Sequence, residues 1–533
     1  MKILVSDNLS QAGVDLLRKE KEFVVDVKTG MSREELRKEI GRYEGLVVRS
    51  ETRVTADVIE AAKKLKVIAR AGVGVDNIDV DAATKRGIIV MNTPAGNTLS
   101  TAEHTFSLIL ALARNVPQAD RSLREGKWER KKFMGTELYN KVLGILGLGR
   151  IGTEVAKRAR AFGMQVLAHD PLLTEARGRS LDVTLSSFDE VIEKSDYITV
   201  HAPLTNETYH SLSAKEFARM KKGVRIVNCA RGGIVDEAAL AEAIKSGHVA
   251  GAALDVYEKE PPANSPLLGL EQVVLTPHLG ASTGEAQRSV AIEAATLMVD
   301  ALKGGIVRNA VNMPPVDSAT LQVIRPYVSL AEKMGLFLGQ FVRGAAVRIA
   351  ATYSGKMPVE DLQPISRALL KGFLEPALRE SVNYVNANVL ASERNIQFIE
   401  AKTVETQDYV QLISLRVETD QESHEIGGTL FGASEPRIVL IDGYRVDAVP
   451  EGVMLVCFNE DKPKIIGRLG MLLGENNINI ANMTLGRKER GGPAVTVLNL
   501  DASVSPSLLK RIGKIRYVNE ARVVQILAQG KLL

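Results

Sequence analysis

Short apolar runs alternate with longer polar stretches through most of the chain, and their spacing sets the first expectations. In the N-terminal part, runs at 3–6, 46–49, 67–70 and 88–92 read as strands separated by amphipathic segments, the mark of an α/β layer fold. A second set begins with the apolar run 142–146. It passes into small and charged residues at helical period (153–162) and then into another apolar run, 164–168. Further strand-like runs follow at 197–201, 225–228, 251–256 and 273–276. Each ends at polar residues, and in open parallel sheets ligands gather beyond the carboxyl ends of strands. Two long helix-like stretches, 100–114 and 284–303, flank this second set and are placed to carry the chain into and out of it. Residues after about Gly284 are therefore expected to return to the first unit.

The motif NMPPVDS breaks the pattern, because Pro314 and Pro315 forbid a continuing helix. A domain boundary is expected there. A mixed segment follows, with β alternation toward its end (409–418 and 436–442) and no chemistry legible from its composition. From Gly452 the order is strand, helix, strand, strand, helix, strand, a ferredoxin-like plan. The expected units are 1–98 together with 285–314, then 99–284, 315–451 and 452–533.

One junction carries chemistry of its own. The run 142–146 leads straight into Gly147, Gly149 and Gly152, spaced GxGxxG, and the second run ends at Asp170. Gly147 makes the tight turn, Gly149 lets backbone approach a pyrophosphate, and Gly152 lets the helix pack close to the strand. The helix N-terminus then offers free N–H groups to the phosphates. A carboxylate at 170 accepts hydrogen bonds from both ribose hydroxyls and repels a 2′-phosphate, so NAD is expected rather than NADP.

Composition narrows the classes. With 533 residues, 45% hydrophobic and 25% charged, the chain reads as several ordinary globular cores rather than disorder. The formal charge of +4 is too small for a general nucleic-acid footprint. Cys229 and Cys457 lie far apart, which supports neither a disulfide framework nor a zinc cluster, and no His/Cys/Asp group has metal-ligand spacing. A cytoplasmic location fits. Met1 leads directly into a strand-like run, so no leader is expected, and no apolar stretch is long enough to span a membrane.

Four short segments follow strand-like runs and carry polar groups: VRSET with Arg49, VNCARGG with Arg231, LDVYEKEPP with Asp255 and Glu260, and TPHLGAST with His278. Moving a hydride between a secondary alcohol and NAD needs a base for the hydroxyl proton, a cation to polarise the developing carbonyl, and a fixed nicotinamide. His278 suits the first role, since histidine titrates near neutrality and a neighbouring carboxylate such as Glu260 raises its pKa. Arg231 suits the second, and Asp255 is placed to orient the nicotinamide. Taken singly, each has a plainer reading: a satisfied histidine, a capping arginine, a solvated acidic loop at Glu258 and Glu260. Together they make one site. The stretch KWERKKFMG (127–135) pairs cations with Trp128, and a solvated loop or a small-molecule phosphate contact suits so short a patch better than nucleic acid.

The set RAGVGVDNID, NTPAGN, LGLGRIG, NCARGGIVDE, ALDVYEKEPP and PHLGAST, in this order, resembles the D-2-hydroxyacid dehydrogenase family, nearest its long phosphoglycerate-oxidising members. The resemblance implies a Rossmann-like NAD domain inserted in a flavodoxin-like substrate domain, then an α+β intervening domain and a ferredoxin-like ACT domain. It implies Arg231, Glu260 and His278 as the catalytic set. Cofactor contacts map onto Arg150, Ile151, Asp170, Cys229, Asp255 and Gly280, beside the three glycines. Substrate contacts map onto Arg49, Arg70, Val73, Gly74 and Asn97, with Arg130, Lys131 and Lys132 resembling a phosphate contact that reaches across a dimer. A homodimer or homotetramer is expected. Serine is implied as an effector bound between two ACT units, at Asn459, Asp461 and Asn479. One departure stands out: where the family commonly has Pro-Gly, this chain has Pro463 followed by Lys464, which puts a bulky cation at the effector pocket. The implied reaction is oxidation of 3-phospho-D-glycerate by NAD to 3-phosphooxypyruvate, opening serine biosynthesis. The alternatives are a glyoxylate or hydroxypyruvate reductase, which needs no phosphate-binding cations, and a non-enzymatic NAD-sensing protein of the corepressor kind.

Overall fold

The structure is a computed structural model that describes every residue except 306, 315–317, 379–381, 406–407, 433 and 527–533. Pro315 of the expected boundary and the last residues of the expected final unit lie outside the described residues.

The first sheet contains β1 (Lys2–Val5), β2 (Val24–Val27), β3 (Gly45–Val48), β4 (Val67–Arg70) and β5 (Ile89–Met91), in the order β2-β1-β3-β4-β5 and parallel throughout. This is the flavodoxin-like order. The runs KILV and GLVV are buried on both faces because helices cover both sides, as parallel sheets require. Ile3, Val5 and Val47 face one core, and Leu4, Leu46 and Val48 face the other. Strand β2 was not foreseen: VVDV is an edge strand, partly exposed, and its central Asp26 masks the apolar pattern. The helix Gly284–Leu302 buries Val290, Ala291, Ala294, Ala295 and Met298 in the first of these cores, and Ala310 then bridges to Met91. The chain thus returns to its first unit after an inserted one.

The inserted sheet holds β6 (Val142–Leu146), β7 (Gln165–His169), β8 (Thr184–Leu185), β9 (Tyr197–Val200), β10 (Val224–Asn228), β11 (Val249–Leu254) and β12 (Val273–Leu275). Its order is β12-β11-β10-β9-β6-β7-β8, all parallel, so the strand order reverses between β6 and β9. That is the doubly wound arrangement, whose ligand crevice opens at the switch point. The GxGxxG turn follows β6 directly.

The third sheet, β13 (Ala346–Gly355), β14 (Gln397–Thr403), β15 (Gln411–Thr419), β16 (Ser423–Phe431), β17 (Glu435–Ile441) and β18 (Tyr444–Ala448), is antiparallel apart from the β13–β14 pair. Two long helices, Ser318–Phe341 and Gln363–Leu378, pack on it. The last sheet is fully antiparallel: β19 (Gly452–Glu460), β20 (Ile480–Arg487), β21 (Pro493–Leu500) and β22 (Val518–Ile526), ordered β20-β21-β19-β22. Leu455, Cys457 and Leu498 face its own helices, whereas Met454, Val456, Val495 and Val524 join the core of the preceding unit. The two C-terminal units therefore share one hydrophobic core.

Candidate active site

The nucleotide turn is built as its glycines demand. Gly147 has φ +95, and a side chain there would lie 2.7 Å from the His201 carbonyl oxygen. Gly152, in the first turn of the helix Arg150–Ala161, has room for no Cβ either, since one would stand 2.3 Å from the Gly147 carbonyl oxygen. Gly149 faces open space, which leaves its backbone accessible to a ligand. Asp170 follows β7, and its Oδ2 accepts the Leu148 N–H at 2.9 Å, so the acid is held beside the glycine turn. A dinucleotide fits this turn, with its phosphates at the helix N-terminus and its adenosine ribose at Asp170.

Beyond the carboxyl ends of β9, β10 and β11 a cavity of about 470 Å³ is lined by Val73, Gly74, Asn97, Ile151, Cys229, Arg231, Asp255, His278 and Gly280, all expected site residues. A second cleft of about 520 Å³ runs past Ser50, Arg53, Thr55, Arg70, Asn77 and Glu260. His278 and Asp76 belong to the walls of both. The imidazole therefore sits where the cofactor side meets the first unit. Its Nδ1 donates to Glu260 Oε2 at 2.9 Å, and Glu260 Oε1 accepts the Tyr257 N–H at 3.3 Å. The bond to Glu260 raises the His278 pKa, against the lowering effect of its partial burial and of Arg231. Burial acts to raise Glu260, but the contacts with His278 outweigh it and leave the carboxyl below its usual range.

Asp255 is buried and holds the histidine loop. Its Oδ1 accepts from Thr276 Oγ1 (2.6 Å) and the Leu279 N–H (2.7 Å), and its Oδ2 from the Gly280 N–H (2.8 Å). His104 Nε2 lies 3.2 Å from the same Oδ1. Burial alone would raise the Asp255 pKa, yet these donors bring it below its ordinary value. The expected role toward nicotinamide is thus joined by a structural one: Asp255 holds the backbone just after His278 and the Thr276 hydroxyl just before it. Burial pushes the Cys229 thiol up to about 12, so this wall residue is a neutral thiol.

Arginines gather here from both units, Arg49 and Arg70 from the first and Arg231 from the inserted one. Arg70 has its Nε buried without a partner, and burial, then Arg231 and Arg49, lower its pKa to about 10. Arg231 is turned by its Nη1 bond to the Ala230 carbonyl (2.7 Å) and approached at Nε by Asp76 Oδ2 (3.3 Å). Arg49 gives Nη1 to the Asn8 carbonyl at 3.0 Å. Like charges gathered in this way favour binding of an anion. Asp76, His104 and Arg53 were not foreseen. Asp76 was readable as the acid two residues beyond Gly74, whereas His104 reaches the site only because its helix, Thr98–Arg114, packs behind β11 and β12.

Not every expected residue converges. Arg130 and Lys131 lie on an exposed loop, where Lys132 pairs with Glu271, and none of the three lines either cleft of its own chain. Asn459 is buried, its Oδ1 accepting from Thr496 Oγ1 at 2.8 Å. Asp461 accepts from the Gly491 N–H at 3.1 Å and pairs with Arg487. Asn479 bonds Asp501 instead, at 2.7 Å. The register sets Asn459 opposite Ala494 and level with Arg487, at the far end of β20 from Asn479. At roughly 3.3 Å per residue the length of that strand separates them. One ACT-like unit does not bring the three together. Lys464, in the glycine position, has φ +75.

Models of known families match in three stretches: the D-isomer specific 2-hydroxyacid dehydrogenase NAD binding domain over 106–280, the D-3-phosphoglycerate dehydrogenase intervening domain over 323–442, and the ACT domain over 453–517. The chain is 50% identical to a D-3-phosphoglycerate dehydrogenase of Archaeoglobus fulgidus, over 99% of this chain and 100% of that one. It is 45% identical to one of Methanocaldococcus jannaschii, over 99% and 100%. Among solved structures, a D-lactate dehydrogenase from Aquifex aeolicus complexed with NAD and lactic acid superposes with TM-score 0.53 at 29% identity, covering 59% of this chain and 100% of that one.

Proposed function

The chain belongs to the D-3-phosphoglycerate dehydrogenase family, and on that premise we propose how its residues divide the work of the cleft. It is an NAD-dependent dehydrogenase that oxidises 3-phospho-D-glycerate to 3-phosphooxypyruvate, the first step of serine biosynthesis. NAD, when bound, takes up the hydride from C2. Gly147, Gly149, Arg150, Ile151, Gly152 and Asp170 would hold it, with Cys229, Asp255 and Gly280 on the nicotinamide side.

The remaining chemistry is a proton and a charge. With Nδ1–H donated to Glu260, His278 keeps its Nε2 lone pair for the C2 hydroxyl proton. Glu260 then stabilises the imidazolium. Arg231 grips the substrate carboxylate and polarises the C2 oxygen as it becomes a carbonyl. The Val73–Gly74 backbone, Asn97, Arg49 and Arg70 complete the anion seat. The observation that carries this reading is the His278–Glu260 pair standing on the wall common to the two clefts, with Arg231 in the same cavity.

The test is NADH formation from 3-phosphoglycerate by the wild type and by His278→Ala. Turnover should fall by about three orders of magnitude, the scale of a lost general base, while NADH binding by fluorescence persists. Retained turnover would overturn the assignment. Faster reduction of glyoxylate or hydroxypyruvate than of phosphooxypyruvate would instead favour the reductase reading.

Further parts of the proposal rest on placement. The units are taken as a substrate domain (1–98 with 285–314), an NAD domain (99–284), an intervening domain (315–451) and an ACT domain (452–533). Arg130 and Lys131, remote from their own clefts, would act from a second subunit of a homodimer or homotetramer. Serine, if an effector, needs two ACT units to collect Asn459, Asp461 and Asn479. No described helix is long and apolar enough to cross a membrane, and a cytoplasmic site of action is part of the same reading.

A further inference from the structure

The second cleft contains a cation that no assignment above uses. Arg53 lines it together with Arg70, His278 and Glu260, and carries no ion pair among the described residues. The backbone on either side of it is clamped. Thr52 N–H donates to Asp7 Oδ1 at 3.0 Å, and Asn77 Nδ2 donates to the Thr52 carbonyl at 2.7 Å. Val54 N–H donates to the Asn77 carbonyl at 2.8 Å. Asp7 is itself buried just past the carboxyl end of β1, so this loop is pinned from the interior. The acids in the same cleft are already engaged: Glu260 with His278, Asp76 with Arg231, and Asp79 with the Ala82 N–H. Neither Arg53 nor Arg70 has an ion pair among the described residues.

The substrate's shape decides what meets them. C2 must lie at His278, and its carboxylate is drawn to Arg231 in the cavity on the cofactor side. The third carbon and its phosphoryl group then extend the other way, into the cleft that shares His278 on that side and holds Arg53. We propose that Arg53 is a phosphate contact that sets the preference for a phosphorylated 2-hydroxy acid over an unphosphorylated one, a proposal that rests on the dehydrogenase reading above. A phosphate carries close to two negative charges at neutral pH and accepts in the forked geometry a guanidinium offers.

The experiment compares wild type, Arg53→Ala and Arg53→Lys on 3-phosphoglycerate and on D-glycerate, following NADH. The ratio of kcat/KM for the phosphorylated over the unphosphorylated acid should fall about tenfold in Arg53→Ala, the scale of one partly exposed charge-assisted hydrogen bond. The loss should be carried by KM. Arg53→Lys should recover part of the ratio, because charge returns without the fork. An unchanged ratio, or equal losses on both substrates, overturns the inference. A wild type inactive on 3-phosphoglycerate would instead overturn the underlying function.

Discussion

His278 holds a backbone conformation with φ +54, uncommon for a residue with a Cβ. The strain is retained because Asp255 grips the following N–H groups of Leu279 and Gly280 while Glu260 takes the ring. As the proposed base, His278 has a defined pH signature. The contact with Glu260 raises the His278 pKa above 6.5, and only the neutral ring accepts a proton, so kcat/KM for oxidation should rise with pH through that raised value. In the reductive direction the imidazolium is needed, and the limb should invert. Glu260→Gln removes the raising contact. Its oxidative limb should move to lower pH while kcat falls about tenfold or more, measured as the pH profile of each variant. A limb that stays in place would mean another group titrates.

Element packing explains why the intervening segment resisted reading. Its two long helices cross with backbones nearly touching: a Cβ on Gly335 would lie 2.1 Å from the Leu369 carbonyl oxygen, and one on Gly372 would lie 2.1 Å from that of Glu332. Small residues at this contact leave a broad apolar face on each helix, so periodicity alone does not show which side is inward. Gly335→Leu should force the helices apart and cost about 1–3 kcal/mol, the range for overpacked contacts. Chemical denaturation should show the loss in the C-terminal units, with NADH affinity retained. An unaltered transition would contradict the close crossing.

Across the whole molecule, polar contacts tie the units in series. Asn383 Nδ2 donates to the Gly87 carbonyl at 2.8 Å, and Lys85 pairs with Glu393, joining the intervening unit to the first sheet. At the other end Arg522 of β22, almost buried, pairs with Glu422 at 2.6 Å and reaches the Phe341 carbonyl at the helix end. That contact lowers the Glu422 pKa to about 2. A depressed carboxylate contributes stability that is complete above its ordinary 4.5 and disappears as pH falls toward 2, so the junction should loosen in that window. Arg522→Ala takes its donor from the Phe341 carbonyl and leaves Glu422 with the Arg343 N–H but without its arginine, and should cost about 3 kcal/mol. The readout is a lower thermal midpoint together with loss of the acid dependence of the C-terminal transition; a midpoint unchanged at neutral pH would count against the junction.

Much of the catalytic half was legible because its signals are local. A glycine spacing, an acid at the end of the next strand and short polar motifs after apolar runs are properties of neighbouring residues. The succession of strands and helices along the ferredoxin-like unit was legible for the same reason. What stayed hidden depends on residues far apart in sequence. The edge strand β2 has Asp26 in its middle, His104 reaches Asp255 from a distant helix, and Arg53 shares a cleft with His278 only in the folded chain. The sequence alone named the cofactor and offered Arg231, Glu260 and His278 as a catalytic set, which the structure brings to two adjoining clefts. Only the tertiary structure decided which cations share a cleft, which acids neutralise them, and that Asn459 and Asn479 lie at opposite ends of their sheet, because Coulomb attraction and hydrogen bonding act over ångströms in space and not along the chain.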